Sequence, residues 1–200
     1  IETPIIMTNT FGVGTALNAL TKYMLEQNED IGASTCTVNC VVTECNDGEL
    51  NDIRGMHVTE ADVRSALDAA GPDFEEGKKG GIGSSSRIVE FDGKKYTIGS
   101  IVMSNFGVLG NLRINGERIS VDIDDKARDK GSIIMVIGTD LPLSDRQLRR
   151  MAKRATVSLG RVGSYLGTGS GDIAIAFSNG NIVPHYSEEK LINCRYLFEN

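Results

Sequence analysis

Two serines and an aspartate in this 200-residue sequence lie where they could take part in nucleophilic chemistry. Ser132 opens the apolar run SIIMVIGTD, directly after the charged and flexible stretch DDKARDKG. Ser170 and Asp172 lie between glycines in GTGSGD, immediately before another apolar run, where a fold can place polar groups at the end of a sheet. A serine at the head of a core strand is in most proteins only its first residue, so the loop before Ser132 is what distinguishes it.

The usual patterns around a catalytic serine are absent. The sequence has no G-x-S-x-G elbow, and neither His57 nor His185 lies in a context that suggests a Ser-His-Asp triad. A nucleophilic Ser132 would therefore need another base. Its own α-amino group could serve, because a pKa of about 7.7–8.0 leaves a useful fraction neutral near pH 7. That chemistry requires the bond between Gly131 and Ser132 to be cut.

The composition suits one compact domain over residues 1–200, because 40% of the residues are hydrophobic. The net charge of −6 argues against nucleic acid or an anionic membrane as a partner, since both need a basic face. No apolar run approaches the roughly 18–20 residues of a transmembrane helix. We therefore interpret the basic run RQLRRMAKR as the solvated face of a helix.

The cysteines predict neither a metal site nor a disulfide framework. Cys36, Cys40 and Cys45 lie in the β-branched run CTVNCVVTEC, whose spacing differs from the paired C-x-x-C of zinc sites. Free cysteine in such a run behaves as a small hydrophobic residue. We expect no metal and no cofactor, and the free thiols, Cys194 included, indicate a reducing compartment, the cytoplasm.

Apolar runs and turn signals predict four strands and two hairpins. The strands are PIIMTN, STCTVNCVVTEC, SIIMVIGTD and GDIAIAFSN. Asp92-Gly93 and Asn115-Gly116 are strong turn signals, and they predict the hairpins RIVEFDGKKYTIGSIVMSN and NLRINGERISV.

Helical spacing predicts three helices. The first is GTALNALTKYMLEQN, and the second is TEADVRSALDAAG, with Thr59 as its N-cap and Gly71 at its C-terminal end. The third begins after LPL, where Ser144 and Gln147 form a capping box. Antiparallel hairpins combined with helices that must cover both faces indicate an α+β fold with layered sheets.

The glycine-rich stretch GKKGGIGSSSR, residues 77–87, fits neither the P-loop nor the G-x-G-x-x-G motif. A flexible turn that lets the backbone approach a ligand is the better interpretation, and it makes Gly81 a candidate pocket residue. Gly169, in GTGSGD, is a second candidate of the same kind.

Six stretches together resemble, in order, successive blocks of the L-aminopeptidase D-esterase and β-peptidyl aminopeptidase family. They cover most of residues 4–181: IIMTNTFGVG, ECNDGELNDIRGMHV, KGGIGSSSR, YTIGSIVMSNFG, GSIIMVIGTDLPLSDRQLRRMAKRA and GSGDIAIAFSNGN. Members of this family are N-terminal-nucleophile hydrolases, made as one chain that cuts itself in two.

The resemblance implies a four-layer αββα sandwich of two packed sheets, a homo-oligomer, and small peptides, amides or esters as substrates. It implies a cut between Gly131 and Ser132, with Ser132 as the nucleophile. Ser170 and Asp172 correspond to the second serine and the acidic residue of the family. Asn105, in the NFG block, corresponds to the donor that stabilises the oxyanion.

The chain departs from the family pattern in two places. Asn46 stands where the family has a tyrosine in its E-x-Y-D-G block, so Asn46 is a candidate pocket residue of altered role. The glycine-rich segment between EEG and KGG is absent. Two other functions stay open: an uncut, inactive structural relative, and an acyltransferase of the ornithine acetyltransferase type, which uses threonine rather than serine as its nucleophile.

Overall fold

A computed structural model of the protein describes residues 1–72, 81–119 and 131–199. The helices are α1 (Val13–Gln27), α2 (Glu60–Asp68) and α3 (Asp145–Val162). The strands are β1 (Ile5–Asn9), β2 (Val41–Cys45), β3 (Ile82–Phe91), β4 (Lys94–Asn105), β5 (Arg113–Ile114), β6 (Glu117–Arg118), β7 (Gly131–Thr139) and β8 (Ser170–Ser178). The loop over residues 124–130 and the junction over residues 75–80, both singled out in the sequence, lie outside the described residues.

The larger sheet has the strand order β3-β4-β7-β8. β3, β4 and β7 are antiparallel neighbours, whereas β7 and β8 run parallel and are joined by the crossover helix α3. The predicted turn at Asp92-Gly93 connects β3 to β4, and both turn residues have the positive φ that such a two-residue hairpin requires. The strands predicted at SIIMVIGTD and GDIAIAFSN are confirmed, and they are neighbours in this sheet.

The smaller sheet consists of β1 and β2, paired in parallel from Ile5–Val41 to Asn9–Cys45. The prediction of a strand over all of STCTVNCVVTEC is wrong, because only Val41–Cys45 is a strand. β1 is only five residues long, and it offers backbone partners to five residues of β2. The β-branched residues of this stretch that precede Val41 have no described strand beside them.

Three apolar clusters build the layers. One joins the two sheets (Cys45, Met103, Ile134 and Val136, with Ile5 and Met7), a second joins the larger sheet to α3 (Ile133, Met135, Ala155 and Leu159), and a third joins α1 and α2 to the smaller sheet (Ala16, Ala19 and Val63, with Ile6 and Val42). The order is therefore helices, small sheet, large sheet, helix. This is the αββα sandwich that the family resemblance implies.

The predicted N-cap Thr59 and the predicted capping box of α3 are both present, and α2 also has a capping box. The Thr59 hydroxyl and the Asp62 carboxylate cap α2, and Ser144 with Gln147 caps α3. The predicted end of α2 at Gly71 is wrong, because the helix ends at Asp68 and Ala69 is its C-cap. No helix within the described residues is long and apolar enough to cross a membrane.

Candidate active site

Ser132 lies near the start of β7, between the two strands that flank it. It is directly opposite Asn105 of the antiparallel strand β4 and opposite Gly171 of the parallel strand β8. Because side chains alternate along a strand, Ser132 shares the face of Ile134, which packs toward the smaller sheet. Asn105 lies on that same face, since residues directly opposite in a pair point the same way.

Ser170 and Asp172 form a hydrogen-bonded pair at the start of β8. The Ser170 Oγ donates to Asp172 Oδ1 at 2.8 Å. Ser170 is opposite Gly131, so the pair lies beside the Gly131–Ser132 peptide bond. Because its proton is directed to the carboxylate, the Ser170 hydroxyl keeps its lone pairs free to accept a hydrogen bond.

The residue before Ser132 has to be glycine. Gly131 has a φ of +143°, and a Cβ atom built on it would lie 1.7 Å from the carbonyl oxygen of Asn105. No side chain fits between the two strands at this point, so the backbone before the serine approaches β4 more closely than any other residue would allow.

An open cleft of about 520 Å³ lies over Gly131, Ser132 and Ser170. It is lined by Thr10, Glu44, Asn46, Gly131, Ser132, Thr168, Gly169, Ser170 and Gly171. Glu44 and Thr10 come from the smaller sheet and the turn after β1, and the Thr10 hydroxyl donates to the Glu44 carboxylate. Sequence reasoning missed both residues, although the charge of Glu44 at the end of an apolar strand was a usable signal.

The three predicted pocket residues lie in different surroundings. Asn46 and Gly169 line the cleft. Gly81 lies outside that lining and packs against Ser104, whose backbone N–H donates to the Gly81 carbonyl at 2.9 Å. The Asn46 side chain accepts a hydrogen bond from the backbone N–H of Gly48 at 2.9 Å, so it closes a local turn.

Cys45 lies between the two sheets and contacts the backbone of Ser132. Its side chain is buried, with 4% exposed, and its Sγ donates to the carbonyl oxygen of Ser132 at 2.8 Å. Burial raises the pKa of the Cys45 thiol, so the thiol stays protonated and can act as a donor at neutral pH. Among the residues that the structure describes, no three His, Cys, Asp or Glu side chains come together to hold a metal ion.

The strand register places the Ser132 hydroxyl and the Asn105 amide on one face of the sheet, and it places the Ser170–Asp172 pair on the next strand, beside the Gly131–Ser132 peptide bond. The sequence model of Peptidase family S58 matches residues 1–199. The chain belongs to peptidase family S58. The family resemblance inferred from the sequence is confirmed.

Relatives of this family S58 chain include the β-peptidyl aminopeptidase BapA of Sphingosinicella microcystinivorans, which is 36% identical over an alignment 209 positions long that covers 89% of this chain and 52% of BapA. The chain thus spans about half the length of the curated relatives it matches. The structure of the PH0078 protein from Pyrococcus horikoshii OT3 matches with a TM-score of 0.89 and 51% identity, over 98% of this chain and 58% of that one.

The L-aminopeptidase D-Ala-esterase/amidase from Ochrobactrum anthropi matches with a TM-score of 0.79 and 40% identity, over 96% of this chain and 58% of that one. That enzyme is described as a prototype of the serine aminopeptidases and as a variant of the Ntn hydrolase fold. This family S58 chain therefore has the Ntn hydrolase fold.

Proposed function

We propose that the protein is a self-processing serine aminopeptidase or amidase, which removes N-terminal residues from small peptides, amides or esters. The observation that carries this proposal is the position of Ser132 on β7, between Asn105 on β4 and the Ser170–Asp172 pair on β8, with Ser132 and Ser170 lining one cleft. The S58 family assignment supports it.

The first step is the cut between Gly131 and Ser132. The Ser132 Oγ attacks the carbonyl carbon of Gly131, and its proton passes to the Ser170 oxygen while the Ser170 hydroxyl proton passes to the Asp172 carboxylate. The carbon–nitrogen bond then breaks, the nitrogen takes up the proton that the Ser170–Asp172 pair returns, and an ester joins Gly131 to the Ser132 oxygen. Water hydrolyses the ester and leaves a carboxylate on Gly131 and a free amine on Ser132.

In the second reaction the new amine is the base. It takes the proton of its own hydroxyl as that oxygen attacks the substrate carbonyl, and it returns the proton to the leaving group. Holding the base and the nucleophile on one residue removes the entropy cost of bringing them together. An N–H of the Asn105 side chain stabilises the negative oxygen of the tetrahedral intermediate.

Glu44 gives the cleft its preference for a free N-terminus. Its carboxylate lines the cleft together with Ser132, on the side formed by the smaller sheet. A substrate ammonium bound there is held by charge-assisted hydrogen bonding, which aligns the following carbonyl with the nucleophile. This arrangement favours removal of single terminal residues over cleavage within a chain.

Intact-mass measurement of the denatured protein, combined with an amino-acid amide panel on the same sample, tests the proposal. We expect two masses, for residues 1–131 and 132–200, together with hydrolysis of amides that carry a free amine. One uncut mass with no hydrolysis would favour the inactive structural relative. Transfer of an acyl group to an added amine, in preference to water, would favour the acyltransferase.

We further propose a homo-oligomer in a reducing, cytoplasmic setting, with no nucleic-acid or membrane partner. Several apolar side chains of the last twenty residues are largely exposed, among them Leu191 and Phe198 at 85% and 84%. All four cysteines are free thiols. Light scattering on a sizing column tests the oligomer: a monomer at micromolar concentration would contradict it.

A further inference from the structure

The end of β2 makes two hydrogen bonds to the pair of residues at the centre of the site. The Cys45 Sγ donates to the carbonyl oxygen of Ser132 at 2.8 Å. The Asn105 side-chain Nδ2 donates to the main-chain carbonyl oxygen of Asn46. Both contacts cross from the smaller sheet to the larger one, so two adjacent residues reach the two cross-strand partners Ser132 and Asn105.

The thiol contact is fixed by packing. Cys45 belongs to the apolar cluster between the sheets, beside Met103 and Ile134. Met103 lies two residues before Asn105 on β4, and Ile134 lies two residues after Ser132 on β7. With 4% of Cys45 exposed, water does not compete for its S–H. A movement of Ser132 away from the smaller sheet would therefore break a buried hydrogen bond.

The amide contact orients Asn105. A side-chain amide carries two N–H donors, and the Asn46 carbonyl takes one of them. This contact selects one rotation of the amide and leaves the second N–H for the oxyanion. The Asn46 carbonyl is itself held by the local turn in which its side chain accepts from the Gly48 N–H.

We infer that the Cys45–Asn46 segment is a positioning element, which holds the nucleophile Ser132 and the oxyanion donor Asn105 in one fixed relation. Cys45 is a positioning residue, because it contacts the Ser132 backbone and does not line the cleft. The kinetic part of this inference rests on the proposed function, whereas the structural part does not.

The kinetic test compares Cys45→Ala, Cys45→Ser and the control Val136→Ala. Val136 is buried in the same cluster, lies four residues after Ser132 on β7 and does not line the cleft, so its truncation reports loss of packing alone. We expect Cys45→Ala to lower kcat about 3- to 10-fold with little change in KM, the effect of one lost hydrogen bond. Cys45→Ser keeps a donor and should recover most of the rate, while Val136→Ala should lose stability and keep kcat.

A second readout does not depend on activity. The Ser-Ile dipeptide occurs twice, at Ser100-Ile101 and Ser132-Ile133. Protein labelled with carbonyl-¹³C serine and ¹⁵N isoleucine therefore gives two NMR cross-peaks, of which Ser100 is an internal control. We expect the Ser132 carbonyl resonance to move upfield in Cys45→Ala and to return toward the wild-type position in Cys45→Ser, with Ser100 unmoved.

The outcomes distinguish the inference about Cys45 from the proposed function. An unmoved Ser132 carbonyl resonance in Cys45→Ala overturns the inference, as does an unchanged kcat in a wild type that is active. A wild type that hydrolyses no amide overturns the proposed function, and the carbonyl resonance then decides alone whether Cys45 holds Ser132.

Discussion

Asn105 and Ser132 lie directly opposite each other in the antiparallel pairing of β4 with β7. Opposed side chains in such a pair have Cβ atoms about 4.5–5.5 Å apart. The amide of one residue and the hydroxyl of the other therefore face the same side of the sheet at close range. Because both residues sit in a regular ladder, their separation is set by the backbone of the sheet and not by a loop.

Substitution of Asn105 by alanine tests this pair. We expect Asn105→Ala to lower kcat by about 10²- to 10³-fold, the usual effect of one lost oxyanion donor, with a smaller change in KM. Ser104→Ala is the matched control, since Ser104 is the adjacent residue and its hydroxyl bonds the Gly81 carbonyl. A normal kcat with a lower melting temperature in Asn105→Ala would leave the amide only the structural contact with Asn46.

Ser132→Ala tests whether the chain cuts itself or is cut by another protease. The variant has no hydroxyl to attack the Gly131 carbonyl, so it should remain one folded, inactive chain of 200 residues. Ser132→Thr and Ser132→Cys keep a nucleophile and should cut slowly. Denaturing electrophoresis over days of incubation reports the result. Cleavage of Ser132→Ala at the same bond would assign the cut to an outside protease.

We expect Gly131→Ala to disturb the fold itself, and through it the cut. The added methyl group would meet the Asn105 carbonyl oxygen at 1.7 Å, and the φ of +143° is unfavourable for any other residue. We expect a loss of thermal stability together with slower cutting. Gly160→Ala in α3 is the control, because nothing lies within 4 Å of its added methyl group and alanine gains up to about 1 kcal/mol in a helix. Equal stability of the two variants would contradict the close approach of β4 and β7.

Asp172→Asn should move the pH dependence of kcat/KM. In the proposed mechanism the Ser132 amine that the cut releases must be neutral, so activity should rise as the pH passes upward through the pKa of that amine. A nearby carboxylate favours the protonated amine and raises this pKa. Its neutral replacement should lower the pKa and shift the acidic limb to lower pH, with a lower maximal rate. A limb that stays in place would separate Asp172 from the amine.

The four cysteines should differ in reactivity toward a thiol reagent. Cys36 and Cys194 are exposed, whereas Cys45 is buried and its pKa is raised by burial. A raised pKa means a smaller thiolate fraction at any given pH, so Cys45 should be labelled last and only at alkaline pH or on unfolding. Mass mapping of labelled peptides measures the order. Labelling of Cys45 as fast as Cys36 in the folded protein would contradict its burial.

The sequence was sufficient for the elements with strong local signals. The turn at Asp92-Gly93 and the capping box of Ser144 with Gln147 are both present, because each depends on residues a few positions apart. The strand at STCTVNCVVTEC was overextended, because its length depends on a partner, β1, that local pattern does not reveal.

Some residues of the candidate site were likewise predictable from local motifs, and others were not. The motif blocks predict Ser132, Ser170, Asp172 and Asn105 as site residues, and the register of β4, β7 and β8 brings these residues to one end of one sheet. The contributions of Glu44, Thr10 and Cys45 depend on how the smaller sheet packs on the larger one. Packing between sheets joins residues about 90 positions apart, and no local periodicity encodes it.

The larger sheet would be shared between two polypeptides once the chain is cut before Ser132, since β3 and β4 precede the cut and β7 and β8 follow it. The uncut precursor folds as a single molecule, at a rate independent of concentration. Separated fragments must first collide, so their reassembly is second-order and fails at high dilution. Cutting would thus turn a reversible folding reaction into one that cannot be repeated from dilute, denatured protein, while the uncut Ser132→Ala chain would keep the ability to refold.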